Sequence, residues 1–418
     1  TGDPLDVAPL FGNGTLVEGE NVTCEVTPND TREDGLTQTV QAPLNYRPTV
    51  SNLKLSAVPV TTTDSALVCT ADSDDTDGHS MTLSYVWKDG IGVEIGTGDT
   101  LDVANLYDNG TLIEGETVTC TVTANDGLED GISDTVGTTV NQRPTTTTPT
   151  LSADPVTTID SALVCSSTGS DNNGDNVTLS YVWKDGVGAE IGTGDTLDVA
   201  NLFGNGTLVE GEAVSCEVTP NDGFEDGDTK SVSTTVNYRP TTDTLMVSAN
   251  PVTTIDTALV CTANDGDTDG HSVTLSFVWK DGASAEIGTG DTLNVDTLVG
   301  NGTLVEGETI TCRVTPNDGL EDGDDQTVAT MVNYRPTVAP SLDETPIVAT
   351  TAQLTCSPNG TDLNGQNMSY FFEWLDNGAA VFYSETTQST SQINVGTYFG
   401  NGTLNEDDTV TCQSRCRR

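Results

Sequence analysis

Four tryptophans, Trp87, Trp183, Trp279 and Trp374, stand 96, 96 and 95 residues apart, and no other feature constrains the fold of this chain as tightly. Cys24, Cys120, Cys216 and Cys312 recur every 96 residues, and a second series, Cys69, Cys165, Cys261 and Cys356, interleaves with them. Whole phrases return. Tyr85-Val86-Trp87-Lys88-Asp89-Gly90 reappears intact at Tyr181 to Gly186, and with Phe277 in place of tyrosine at Phe277 to Gly282. A fixed period of this kind marks a tandem array of structural repeats. Recent duplication leaves the same trace, so a residue is not functional merely for being repeated.

Within one repeat the apolar period is two. Val118, Cys120 and Val122 alternate with Thr119, Thr121 and Thr123, and Met81, Leu83, Tyr85 and Trp87 alternate with smaller or polar residues. Leu67, Cys69 and Ala71 make a third such face, and Gly, Asn and Asp clusters separate the runs. These are the marks of half-buried strands joined by turns. No segment shows helical periodicity of useful length, so the repeat is expected to be all-β.

The composition asks for a staple. Hydrophobic residues make up 34% of the 418 and aromatics 5%, which suits several small cores better than one large one. Cys69 and Cys120 fall on inward faces of different strands with Trp87 on a strand between them, and the expected bridges are Cys69–Cys120, Cys165–Cys216, Cys261–Cys312 and Cys356–Cys412. Closing a loop of about 50 residues stabilises by about 4 kcal/mol through the unfolded chain. A zinc site is disfavoured, because there is no CxxC pair and only two histidines are present. Ten cysteines point to an oxidising, extracellular or cell-surface setting. The net charge of −50, from 64 acidic and 14 basic residues, excludes nucleic acid as a partner and disfavours an anionic membrane. No apolar run approaches the roughly 18 residues of a membrane span. No signal peptide is visible, and the opening Thr1-Gly2-Asp3-Pro4 places any export signal outside this segment or among removed residues.

Cysteine, then a strand tryptophan, then cysteine (Cys69, Trp87, Cys120 and their equivalents), in a unit of about 100 residues, resembles the immunoglobulin-like sandwich. The Asp-x-Asp-Gly loop before the Trp strand and the Asn-Asp-Gly loop after the second cysteine are similar to tandem immunoglobulin-like and PKD-like modules of giant acidic surface proteins of bacteria and archaea. That resemblance, spanning nearly the whole chain, implies tandem immunoglobulin-like β-sandwich domains with one disulfide each. Two departures from antibody-type domains bear on strand topology: Val118 stands where a tyrosine corner places tyrosine, and 18 residues separate Cys69 from Trp87.

Asn-x-Arg-Pro recurs at Asn45 to Pro48, Asn141 to Pro144, Asn237 to Pro240 and Asn333 to Pro336. Proline fixes φ and biases its predecessor toward extended backbone, so these junctions read as stiff hinges and the array as an elongated rod. The segments are then 1–46, the second half of a unit; 47–143, 144–239 and 240–335, complete domains; and 336–418, a domain lacking its last strand. A window cut from a longer repetitive chain accounts for the ragged ends. Head-to-tail strand exchange between chains, with Cys24 meeting Cys416, is the alternative.

Two acidic loops recur. Asp75-x-Asp77-Gly78 has counterparts at Asp171, Asp267-x-Asp269 and Asp362, and Asn125-Asp126-Gly127 with Glu129 and Asp130 has counterparts at Asp222, Glu225, Asp226 and at Asp318, Glu321, Asp322. In the sandwich expected here both loops share the end facing the preceding domain, which would bring them together at the junction. Hard oxygen ligands at such density suit Ca²⁺ as a cofactor. Two other readings stand beside it: these are turn-forming sequences, or Arg47, Arg143, Arg239 and Arg335 neutralise the same acids. Asn13, Asn109, Asn205, Asn301 and Asn401 lie in Asn-Gly-Thr, an N-glycosylation acceptor and also a tight-turn pair.

Catalytic constellations are missing: no Gly-x-Ser-x-Gly, His-Glu-x-x-His or phosphate loop occurs, and His79 and His271 read as solvated loop residues. The chain is therefore expected to be a non-enzymatic structural protein forming a surface filament, fibre or stalk, with itself or neighbouring repeats as partner. A stalk presenting an adhesin's tip, or a spacer in a large secreted enzyme, are the alternatives.

Overall fold

The computed structural model describes residues 4–348, 353–386 and 389–417, so Thr1 to Asp3 of the first segment and Arg418 of the last lie outside the described residues. The chain forms two compact units, Thr1–Val156 with Asp160–Val236, and Thr157–Ile159 with Asn237–Arg418.

The first complete repeat of unit 1 shows how the sequence makes its elements. Its strands are β1 (Thr49–Leu55), β2 (Leu67–Asp74), β3 (Thr82–Lys88), β4 (Glu94–Thr97), β5 (Thr100–Leu101), β6 (Thr117–Asn125) and β7 (Asp134–Thr139). They pair antiparallel as β1-β2-β5 and β4-β3-β6-β7. A parallel bridge, Val60 to Val140, ties the segment after β1 to the end of β7. Two facing antiparallel sheets in this strand order, with the first strand's continuation parallel to the last, define an immunoglobulin-like sandwich.

The period-two faces close on one another. Val118, Cys120 and Val122 are fully buried, as are Leu67, Cys69 and Trp87, and Val60, Leu101, Val103, Leu112 and Val140 complete the core. Cys69 of β2 and Cys120 of β6 form a disulfide between the sheets. Trp87 sits directly across from Cys120, which sits across from Val136, so one row of the four-stranded sheet covers the bridge. The indole N–H of Trp87 donates to the Gly98 carbonyl at 2.8 Å, satisfying the only polar atom that its burial would strand. Gly96 lies close beside it, where an added Cβ would press on the end of the Leu101 side chain.

The same two sheets recur in unit 1 over 150–235, with the Cys165–Cys216 bridge. In unit 2 they recur over 241–331 with Cys261–Cys312, and in a three-plus-three-stranded form over 341–417 with Cys356–Cys412. The chain is thus an all-β tandem array of immunoglobulin-like domains.

Each repeat also carries one short helix that apolar periodicity does not reveal. Val103–Asp108, Val199–Gly204, Val295–Gly300 and Val395–Gly400 are six residues each. Fewer than two turns cannot express a 3.6-residue period. The legible signal is the cap: Asp102 accepts the Asn105 N–H at 3.0 Å, and Asp198 and Asn294 do the same for Asn201 and Thr297.

At the start of unit 1, helix Val7–Gly12 precedes a lone hairpin, Asn21–Val26 paired with Gln38–Pro43. Its Cys24 is exposed and unbonded, and Val26 and Val40 are well exposed, whereas the matching residues of β6 and β7 are covered. In unit 2, Cys416 on the last strand is also free.

Candidate functional site

In unit 1 the loop after β2 and the loop after β6 meet where the Asn45-Tyr46-Arg47-Pro48 segment enters the first complete sandwich. The β6–β7 loop organises itself first. Asp126 Oδ1 accepts the backbone N–H groups of Leu128 and Glu129, both at 2.8 Å, and Asn125 donates its amide to Asp130 Oδ1 at 2.7 Å. The junction then docks on it. Asn45 Nδ2 donates to Asp126 Oδ2 at 2.6 Å and to Glu129 Oε1 at 3.2 Å, while the Tyr46 N–H donates to Asp77 Oδ2 at 3.1 Å. The Glu129 N–H together with the Asn45 amide holds the Asp126 carboxyl down to about 2.

At the next junction of unit 1 the clasp is deeper. Asn141 Nδ2 donates to Asp222 Oδ2 at 2.7 Å and to Glu225 Oε1 at 2.9 Å. Thr62, from the repeat before, adds its hydroxyl to Glu225 Oε2 at 2.6 Å, with its backbone N–H at 3.3 Å. Asn141, Asp222, Glu225 and Thr62 are all buried. Burial pushes the Asp222 carboxyl up, and the Asn141 amide with the Glu225 and Phe224 N–H groups more than offsets this, so it lies below the usual range. Unit 2 repeats the arrangement: Glu321 accepts from the Thr158 hydroxyl at 2.5 Å and the Asn237 amide at 3.0 Å, and Asp318 accepts from Asn237 at 2.8 Å.

The remaining loop carboxylates divide by role. Asp130, Asp226 and Asp322 each hold the asparagine that opens their own loop and stay out of the cluster. Asp75 Oδ1 accepts the His79 N–H at 3.0 Å, and the His79 imidazole lies 3.2 Å from Asp77 Oδ1. In unit 2, Asp267 accepts the His271 N–H at 3.0 Å, and the His271 ring lies 3.1 Å from Asp269. Each histidine ring thus lies against the acidic loop while remaining substantially exposed. Asp171 closes its loop on the N–H groups of Asn173 and Gly174.

The arginine expectation needs correcting. Arg47, Arg143 and Arg335 pair with Glu18, Glu114 and Glu306, 29 residues earlier, at the turn before each penultimate strand. Arg143 also lies 3.7 Å from Asp228, and Arg239 donates to Asp324 at 3.0 Å. Arg143 and Arg239 thus reach acids just past the second loop, while the asparagine two residues before each donates to the aspartate and glutamate within it.

A glycine that sequence inspection passed over completes the joint. A Cβ on Gly131 would overlap the Pro48 carbonyl, and Gly227 and Gly323 stand equally close to Pro144 and Pro240. Glu-Asp-Gly after the loop asparagine is the visible trace of this contact. The Asn-Gly-Thr asparagines Asn13, Asn109, Asn205, Asn301 and Asn401 are exposed, each accepting the N–H of the threonine two residues on through Oδ1.

No family model matches this chain, and no curated protein does. Among solved structures, the chain is similar to the three N-terminal domains of the bacteriophage RB49 Highly Immunogenic Outer Capsid protein, at 16% identity over 68% of this chain and 98% of that one, with a TM-score of 0.34. It is also similar to Dpr2 Ig1-Ig2 in complex with DIP-Theta Ig1-Ig3, at 14% identity over 68% and 99%, with a TM-score of 0.24. Strand order, bridge and tryptophan, read from the chain itself, give the class: tandem immunoglobulin-like domains. Disulfides in every complete sandwich accord with an extracellular setting. Among the described residues no helix is long and apolar enough to cross a membrane.

Proposed function

We propose that this chain is a non-catalytic extracellular structural protein whose repeats form a surface filament, fibre or stalk, in the manner of the repeats of giant acidic surface proteins. The observation that carries this reading is the Glu225 clasp. A buried carboxylate of one repeat takes three donors from Thr62 and Asn141, which resists separation of the repeats far better than exposed pairs of charges do. This buried polar network joins one repeat to the next. The exposed Asn-Gly-Thr asparagines, whose amide nitrogens point away from the turn bond, fit glycan attachment, which would shield so acidic a surface. Electron micrographs of the native material test the reading: a regular assembly of this chain is expected. Isolated chains, or a catalytic turnover that depends on this region, overturn it, and an intact mass equal to the bare 43.6 kDa removes the glycans alone.

A further inference from the structure

We infer that two Ca²⁺ sites are built where the acidic loops converge, one in unit 1 on Asp75, Asp77 and Asp126 with the Asn45 carbonyl oxygen, the other in unit 2 on Asp267, Asp269 and Asp318 with that of Asn237. The inference does not depend on the filament reading, since an ion held here serves any use of the array.

Convergence is the first ground. Ligand atoms of Asp75, His79 and Asp126 lie within 4.8 Å of one another, and those of Asp267, Asp269 and His271 do likewise. Carboxylates so close repel unless positive charge lies between them, and burial magnifies the repulsion. Each junction arginine is engaged with a carboxylate outside these sets: Glu18, Glu114, Glu306 or Asp324.

The second ground is independent of clustering. The Asp75 side chain is 0% exposed and that of Asp267 2% exposed. One oxygen of each accepts the backbone N–H of its histidine, while Oδ2 of each is buried without a hydrogen-bond partner. A buried carboxylate oxygen with no donor is costly, and a directly bound cation is what relieves it.

The junction asparagine extends the same pattern. Asn45 and Asn237 point Nδ2 at Asp126 and Asp318, which leaves Oδ1 turned toward neither; in both residues this carbonyl oxygen is buried and unpartnered. A neutral amide oxygen beside three carboxylates completes an all-oxygen donor set with adaptable loop geometry, the preference of Ca²⁺ over softer metals. At the Asn141 junction Asp171 Oδ2 and Asn141 Oδ1 are likewise buried without partners, but Asn173 stands where the two assigned sites have their second aspartate, so that junction has one carboxylate fewer and is assigned no site.

The test uses the full chain, stripped with a chelator and titrated calorimetrically with CaCl₂ in about 0.15 M NaCl, where diffuse attraction is screened beyond roughly 8 Å. Two saturable ions per chain are expected, with Kd of about 10⁻⁴–10⁻³ M as in other extracellular modules. Asp77→Asn and Asp269→Asn should each remove one ion and together both, with circular dichroism unchanged; Asp75→Asn and Asp267→Asn give a second, buried pair of variants. Asp108→Asn, on the exposed helix end, should leave two. Absence of saturable binding, or binding indifferent to Asp77→Asn and Asp269→Asn, overturns the proposal. So does a site that takes Zn²⁺ but not Ca²⁺ and is lost with His79→Ala and His271→Ala.

Discussion

Replacing Glu225 by alanine removes the acceptor for the Thr62 hydroxyl, the Thr62 N–H and one bond of the Asn141 amide in a single step. These donors are buried, so the Thr62 hydroxyl and N–H lose their acceptor, while the Asn141 amide keeps only its bond to Asp222. Stranding one side of a buried charged pair or network costs about 3–5 kcal/mol, and a hydrogen bond to a charged group is worth about 1.5–3 kcal/mol. Glu225→Ala is therefore expected to destabilise by about 3–5 kcal/mol. Its coupling to Thr62→Val, which deletes only the hydroxyl bond, should be about 1.5–3 kcal/mol in a double-mutant cycle. Glu129→Ala is the internal control: Glu129 holds Asn45 alone, at 3.2 Å and in an exposed position, and should cost less than about 1 kcal/mol. Denaturant unfolding, followed together with hydrogen exchange at the Thr62 amide, reads both numbers, since each 1.4 kcal/mol of lost protection speeds exchange tenfold. A coupling within about 0.5 kcal/mol of zero would refute the argument that the carboxylate joins two repeats.

Other expected outcomes test the rest of the framework. Gly227→Ala drives a methyl into the Pro144 carbonyl and should cost about 1–3 kcal/mol, whereas Gly204→Ala, with open space around it and ordinary helical φ, should be neutral or slightly stabilising in thermal melts. Cys165→Ala with Cys216→Ala opens a loop of 51 residues and should cost about 4 kcal/mol in non-reducing denaturant titrations, while Cys24→Ala, exposed and unbonded, should change nothing.

The fold was legible because it rests on side-chain alternation and covalent spacing. Val118, Cys120 and Val122 announce an inward face by period two alone, and the 96-residue recurrence of Trp87 multiplies that one inference into an array. The six-residue helix after β5 is marked in the sequence by its cap alone, Asp102, one aspartate among many, and so was not anticipated. At the junction the sequence indicated which loops converge and left their partners open among a cation, turn bonds and arginine. Asn-x-Arg-Pro drew attention to its charged member, yet the arginine turns to Glu18 or Glu114, and the uncharged asparagine enters the acidic pocket.

That inversion has a physical reason. Arginine carries its guanidinium on a long apolar stem, which lets it run along the surface to Glu18 or Glu114, both partly exposed. The space between the loops holds several carboxylates, and those of Asp126 and Asp222 each take an asparagine N–H donor. An asparagine amide supplies two such donors on a short stem and keeps a carbonyl oxygen in reserve. Thr62 joins the same site from the repeat before, 163 residues from Glu225, and nothing in its surroundings (Val60-Thr61-Thr62-Thr63) distinguishes it from its threonine neighbours. Pairings of this reach are set by where the sandwiches place their loops. They become visible only when the strands that carry those loops have been assembled.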